Sequence, residues 1–325
     1  MILDVARHKF HEGIISLIVI AIATVIVGVA RPIAFDASAV AMTSWQASLY
    51  AFEQSHSVVA ALLGIMLIVH ASLRLSRATI LSKIYPTSSM AAMSLTAVMA
   101  MAMATGGNML STLLVAVLTA EFIGRMLYSM RHNARLHHIF TAMMALGLMP
   151  LVDSSTLVIV VLYPLMLMSL RSRIREVVVA TIGLMLPLFA FCYVAWCSGA
   201  NFNDEITMLY ERMMLPGAIA VEEYVTLPRL CFVAIALFLL LCVMVIYRNE
   251  RLSMTLAARN SWTMMQLCAV TLVVLFSFIP SLSPASFVVV MMFVAAMLPL
   301  FFQKINPTIS VAAYILLVVS AIIAA

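Results

Sequence analysis

Most of the reactive side chains of this sequence gather in a few short stretches. Asp36, Glu53 and His56 lie between the first two apolar runs. Glu53 and His56 are i, i+3, so on a helix they share a face. A carboxylate near a low-dielectric boundary has a raised pKa and can act as a general base. The competing reading of all three is plain solvated polarity. Asp153 interrupts the apolar stretch LGLMPLVDSSTLVIVV, residues 146–161. It caps the helix that follows, with Ser154 and Ser155 beside it, or it lines an outward pocket, and the two are compatible. Glu121 and Arg125 are i, i+4 inside another apolar run, and an intramembrane acid requires a partner. Their pairing is the structural reading; a proton or ion relay that includes His70 is the functional one.

These side chains need a frame to hold them. The chain has 325 residues, 65% hydrophobic and 10% charged, with a mean hydropathy of +1.15. A soluble domain is about 25% charged. So few charges do not coat a water-facing surface of this size, and the chain is expected to be dissolved mainly in lipid. The apolar runs lack period-2 alternation, which argues against barrel strands. The expected fold is therefore all-α: a polytopic transmembrane helix bundle, one integral membrane domain over residues 1–325. Its possible halves are 1–176 and 177–325. Eleven spanning helices are read, at 13–30, 57–73, 87–104, 109–129, 138–150, 156–170, 177–197, 230–247, 262–280, 285–301 and 308–324. The first is read as a retained anchor rather than a cleaved signal, because of its long apolar core and Pro32 just beyond.

Loop charges set the expected orientation. With the N-terminus in the cytoplasm, fifteen of the 18 Lys and Arg fall on the cytoplasmic side. Only Arg31, Arg212 and Arg229 fall outside. Eight of the 13 acids run the other way. Two outer loops are long, 31–56 and 198–229. The first predicts an interfacial helix over 38–52, with Trp45, Leu49 and Phe52 on its apolar face and Gln46 opposite. The second predicts a short helix capped by Asn203. The helix pattern also shows a faint echo between the two halves, without a residue-level repeat. Helices 138–150 and 156–170 are short. Thirteen residues span only about 20 Å against a hydrocarbon core of about 30 Å. The turn bearing Asp153 is thus expected to be recessed below the outer surface.

Other chemistries lack their residues. The five cysteines show no CxxC, so zinc and thioredoxin-like sites are unsupported. Cys197 and Cys231 end consecutive helices on the outer side, and both a disulfide and free thiols are open there. His132, His137 and His138 lack converging acids or thiols for a metal site. The 27 methionines read as packing and lipid-facing residues. No nucleotide-binding or hydrolase motif occurs, and no cofactor is expected. The net charge of +5 is spread along one membrane face, which argues against a nucleic-acid partner.

Residues 131–191 run from the basic loop RHNARLHHIF through two short apolar helices and an Arg-rich loop to a helix holding Gly183 and Pro187. This stretch resembles a family of uncharacterised polytopic bacterial inner-membrane proteins of similar length. A more distant architectural likeness is to the GT-C glycosyltransferases, which use polyprenyl-phosphate sugars. Those enzymes carry a catalytic acid soon after the first helix, interfacial helices in the first outer loop, and shortened middle helices that open an outward cavity. Asp36 in RPIAFDASAV, the 38–52 helix and the two short helices match that arrangement. The chain departs from it in having a single acid after the first helix, Asp153 where a cation often sits, and no outer C-terminal domain.

The GT-C likeness implies an inner-membrane protein of cell-envelope biogenesis that binds or transfers a lipid-linked sugar at its periplasmic face. Asp36 would be the base, with Glu53 and His56 as further candidates. Arg31, Asp153, Arg212 and Arg229 would bind the ligand, the arginines pairing with its phosphate. Two alternatives stand beside this. One is a secondary transporter or flippase built on Glu121, Arg125 and His70. The other is a non-enzymatic subunit of a membrane complex, whose small residues over 88–107 would meet a partner helix. Membrane lipids are expected neighbours in every case.

Overall fold

Long runs of Leu, Ile, Val, Ala and Met find no backbone partner in lipid, so each run closes its own hydrogen bonds as a helix. The computed structural model of the chain describes residues 10–30, 44–87, 89–104, 109–130, 135–170, 173–197, 199, 201, 203–204, 206–207, 211, 226–276 and 283–324. Arg31, Asp36, His132 and Arg212 lie outside the described residues. Among the described residues all regular structure is helical. The order is α1 (Phe10–Ala30), α2 (Ser44–Ser55), α3 (Ser57–Leu81), α4 (Ala91–Met103), α5 (Met109–Ser129) and α6 (Arg135–Val152). A 3₁₀ segment (Ser154–Val161) then leads to α7 (Leu162–Leu170) and α8 (Ile174–Cys197). The chain finishes with α9 (Leu227–Glu250), α10 (Leu256–Phe276), α11 (Pro284–Met297), α12 (Pro299–Lys304) and α13 (Pro307–Ala324). Seven helices among the described residues are long and apolar enough to cross a bilayer: α3, α5, α6, α8, α9, the α11–α12 run and α13. Gly13–Thr24, α4 and Ser154–Leu170 are shorter apolar helices.

Burial divides the bundle into a centre and a rim. Every residue of α4 is buried, and so is every residue of α11 except the half-buried Phe287. Ala91, Ala92, Ala97, Ala100 and Ala102 keep α4 slender enough to be enclosed by α1, α3, α11 and α13. The part of the small-residue run that lies in α4, expected to face another subunit, is therefore covered inside this chain. At the rim, α8, α9 and α13 expose Ile182, Phe189, Phe238, Leu241, Ile315 and Leu316. A continuous apolar exterior of that kind is stable against lipid and not against water.

The hairpin around Asp153 differs from expectation. Helix α6 has 18 residues, not thirteen, and measures about 27 Å. The return arm combines eight 3₁₀ residues at about 2.0 Å each with nine α-helical ones at about 1.5 Å, about 30 Å in all. Both arms match a hydrocarbon core of about 30 Å. The turn is thus not recessed by short helices; stretching the backbone into 3₁₀ geometry supplies the reach. Helix α2 also departs in one respect. Trp45 is exposed, as an interfacial anchor would be, but Gln46 is buried, because α2 rests against α3, α5 and α6. Cys197 and Cys231 are exposed free thiols.

Polar staples hold the other end of the bundle. Arg135 donates from Nη2 to the Leu170 carbonyl and pairs with Glu176 at 3.3 Å, joining α6, α7 and α8. Trp262 Nε1–H donates to the Ile84 carbonyl at 2.9 Å, and its ring stacks on Tyr247 at 5.2 Å. Tyr85 O–H donates to the Ala296 carbonyl. The linker between α3 and α4 is thereby sewn to α10 and α11.

Candidate functional site

Pro150 lacks an N–H and α6 ends two residues later, so the chain is free to turn at Asp153. Asp153 takes an extended conformation (φ −141°, ψ 111°) and caps the 3₁₀ segment. Its Oδ1 accepts from the Ser155 N–H at 3.0 Å and from the Ser155 hydroxyl at 2.8 Å. Its Oδ2 accepts from the Ser283 hydroxyl at 3.3 Å. Ser283 in turn caps α11, accepting from the Ser286 N–H at 3.4 Å. The Ser155 hydroxyl lies 2.5 Å from that of Ser283 and 3.1 Å from that of Ser286. One buried carboxylate and three hydroxyls therefore lock two helix starts together. Asp153 is 2% exposed, and no cation pairs with it among the described residues. The capping reading of Asp153 holds. The sequence reading missed Ser283 and Ser286, although Ser283 followed by Pro284 is the N-cap and first-turn signature of a helix.

Beside this turn, α6, the 3₁₀ segment and α8 enclose a crevice of about 230 Å³. Leu151, Leu157, Leu184 and Leu188 line it, together with Ile206 from the segment between α8 and α9. The helices that wall it, α6 and α8, meet on glycine. A Cβ on Gly147 would sit 2.2 Å from the Leu184 carbonyl oxygen, and one on Gly183 would sit 2.7 Å from that of Phe140. Backbones this close leave room to either side of the crossing. Among the described residues no charged side chain lines the space, so it suits a hydrocarbon chain.

Glu53 and His56 are not brought together as a catalytic pair. Glu53 reaches across to the start of α5, where its two oxygens accept from the N–H groups of Met109 at 3.1 Å and Leu110 at 3.2 Å. Those are orphan donors of a helix terminus, and a carboxylate answers both them and the helix dipole. Burial raises the Glu53 pKa above its ordinary value, against the lowering effect of the two backbone hydrogen bonds. His56 is exposed, stacks on Phe52 at 5.3 Å and meets the Ser55 hydroxyl at 2.7 Å through Nδ1.

No family model, curated protein or solved structure matches this chain. What the site does must therefore be read from its own geometry.

Among the described residues, Arg229, Glu121 and Arg125 each hold a partner on another turn or helix. Arg229 is 5% exposed and donates from Nε to the Ala324 carbonyl at 3.1 Å, tying the start of α9 to the end of α13. Glu121 and Arg125 do pair, at 2.5 Å. A third member joins them: Arg74 donates from Nε and Nη2 to both Glu121 oxygens, the second at 2.8 Å. Arg74 was missed because the second helix was ended at residue 73, whereas α3 continues to Leu81. His70 is exposed and lies one helical turn before Arg74 on α3.

Proposed function

We propose that this is an eleven-pass bacterial inner-membrane protein, N-terminus in the cytoplasm, that binds a lipid-linked sugar at its periplasmic face in cell-envelope biogenesis. The eleven passes are α1, α3, α4, α5, α6, the 3₁₀–α7 arm, α8, α9, α10, the α11–α12 run and α13. One observation carries the reading: the apolar crevice beside the Asp153–Ser155–Ser283–Ser286 cluster, lined in part by Ile206. Its lining suits part of a polyprenyl chain, and the hydroxyl cluster lies at the same end of the bundle, where a phosphate and sugar would sit. Arg31 and Arg212 are the cations for the phosphate. Arg229 is committed to α13 and serves that region as an anchor.

Binding is the core of the proposal, and transfer is a further step assigned to Asp36. An acceptor hydroxyl attacks the anomeric carbon, the carbon–oxygen bond to the polyprenyl phosphate breaks, and the acceptor proton passes to the Asp36 carboxylate. The test is photolabelling of the purified protein with a photoreactive polyprenyl-phosphate analogue. Leu151→Trp and Leu188→Trp fill the crevice and are expected to abolish labelling of α6 and α8 while the protein still accumulates in the membrane. Undiminished labelling in both variants would remove the binding claim. Normal glycan in cells carrying Asp36→Asn would remove the transfer step alone.

A further inference from the structure

The Arg74–Glu121–Arg125 triad is unbalanced. Two guanidiniums, both charged at any working pH, share one carboxylate, which leaves one net positive charge. The donors are unbalanced too. Each guanidinium has five N–H groups. Glu121 takes two from Arg74 and one from Arg125. The other seven make no hydrogen bond among the described residues, with Tyr128 close enough to Arg74 to act on it electrostatically. They are not simply dispersed in water either, since the Arg74 and Arg125 side chains are only 24% and 25% exposed.

Position gives this surplus a meaning. Arg74 lies seven residues before the end of α3 and Arg125 four before the end of α5. Those offsets are about 10 Å and about 6 Å along the helices. The pair is therefore held just inside the helix ends, at the level of the lipid head groups and their phosphates. The backbone keeps it there. Gly124 lets the helices approach closely, since a Cβ on it would be 3.1 Å from the Ala78 Cβ. Glu121 then fixes both forks from one side and leaves the opposite N–H edges without a hydrogen bond among the described residues. A partly desolvated net cation with unspent planar donors is what binds a phosphate oxyanion.

We propose that Arg74 and Arg125, oriented by Glu121, form a binding site for a phosphate oxyanion. The phosphate is supplied by an anionic phospholipid or by soluble phosphate. Glu121 is a positioning residue and touches no ligand. The leaflet concerned follows from the orientation given above. The chemistry of the site does not depend on that orientation, nor on any sugar ligand at the opposite end.

The test uses the full chain in nanodiscs and in neutral detergent. Thermal stability and lipid retention are measured with phosphatidylglycerol, with phosphatidylcholine, and with inorganic phosphate against chloride at equal ionic strength. Phosphatidylglycerol is expected to bind at least about tenfold tighter than phosphatidylcholine, the worth of one charged hydrogen-bonded contact. Arg125→Gln removes the surplus charge but leaves Arg74 bidentate on Glu121, so the fold stands and the preference is lost. Glu121→Gln keeps one accepting oxygen to orient the forks and removes the negative charge, so it holds phosphatidylglycerol binding even as it lowers stability. A purely structural ion triad would not produce that opposition. Arg248→Gln, on α9, controls for general surface charge and leaves the preference intact. Should Arg125→Gln fail to accumulate, Arg125→Lys keeps a charge without the fork and is expected to lose several-fold. Protection by phosphate over chloride, matching that by phosphatidylglycerol, assigns the site to a soluble ligand. Equal binding of the two lipids with no advantage of phosphate over chloride overturns the proposal, as does an Arg125→Gln variant that binds like the parent.

Discussion

Gly147→Ala tests the crossing of the two helices that wall the crevice. The added methyl would lie 2.2 Å from the Leu184 carbonyl oxygen. A carbon–oxygen contact settles at about 3.3 Å, so α6 and α8 must separate by about 1 Å. The obstacle is backbone and has no rotamer through which to escape. Overpacking of this sort costs about 1–3 kcal/mol, and a rigid neighbour places it near about 3. Replacing a helical glycine by alanine returns about 1 kcal/mol of helix propensity. The net expectation is a loss of about 2 kcal/mol, with weaker photolabelling of the crevice because its walls move. Equilibrium unfolding in mixed micelles, followed by intrinsic tryptophan fluorescence, reads the difference. Gly183→Ala, 2.7 Å from the Phe140 carbonyl oxygen, acts on the same helix pair. One displacement relieves both clashes, so the double variant should lose less than the sum of the two. Gly64→Ala is the internal contrast. Its new Cβ meets the flexible end of Met109 at 2.9 Å, which swings aside, and the propensity gain makes the change neutral or stabilising. A Gly147→Ala protein within about 0.5 kcal/mol of the parent, or full additivity with Gly183→Ala, would refute the close-crossing account.

Three further outcomes are expected. Asp153→Ala removes a cap and strands the Ser155 and Ser283 hydroxyls, at a cost of about 2 kcal/mol. Asp153→Asn keeps an acceptor and costs less, and amide hydrogen exchange over 154–161 should rank the two in that order. Glu53 has a folded pKa raised by burial, so its contribution to stability is complete below the ordinary 4.5 and is lost as pH climbs through the raised value. Glu53→Gln should flatten that part of the stability–pH curve, and an unchanged curve would show that Glu53 does not control it. Trp262→Phe leaves the buried Ile84 carbonyl without its donor and should cost about 1–3 kcal/mol in the same unfolding assay.

Sequence composition by itself determined the solvent. With 10% charged residues in 325, lipid is the only medium that accepts the surface, and the all-helical backbone follows from the need to close every hydrogen bond internally. The i, i+4 contact of Glu121 with Arg125 and the cap at Asp153 were equally legible, because both are local and need only the rise of one helix. Tertiary structure decided everything that links distant residues. The partner of Asp153 at Ser283 and that of Ser155 at Ser286 lie some 130 positions away, and no periodicity encodes which two helix starts meet. Arg74 joined the triad only once α3 was seen to run on to Leu81. The alanines of α4 were visible as small, but smallness states that something comes close without stating what; here the neighbours are other helices of the same chain. Glu53 looked reactive in sequence and became a helix cap in space, because the orphan N–H groups that claim it belong to residues 109 and 110. Hydropathy is a sum over neighbours in the chain, whereas pairing depends on neighbours in space, and only the packed bundle supplies those.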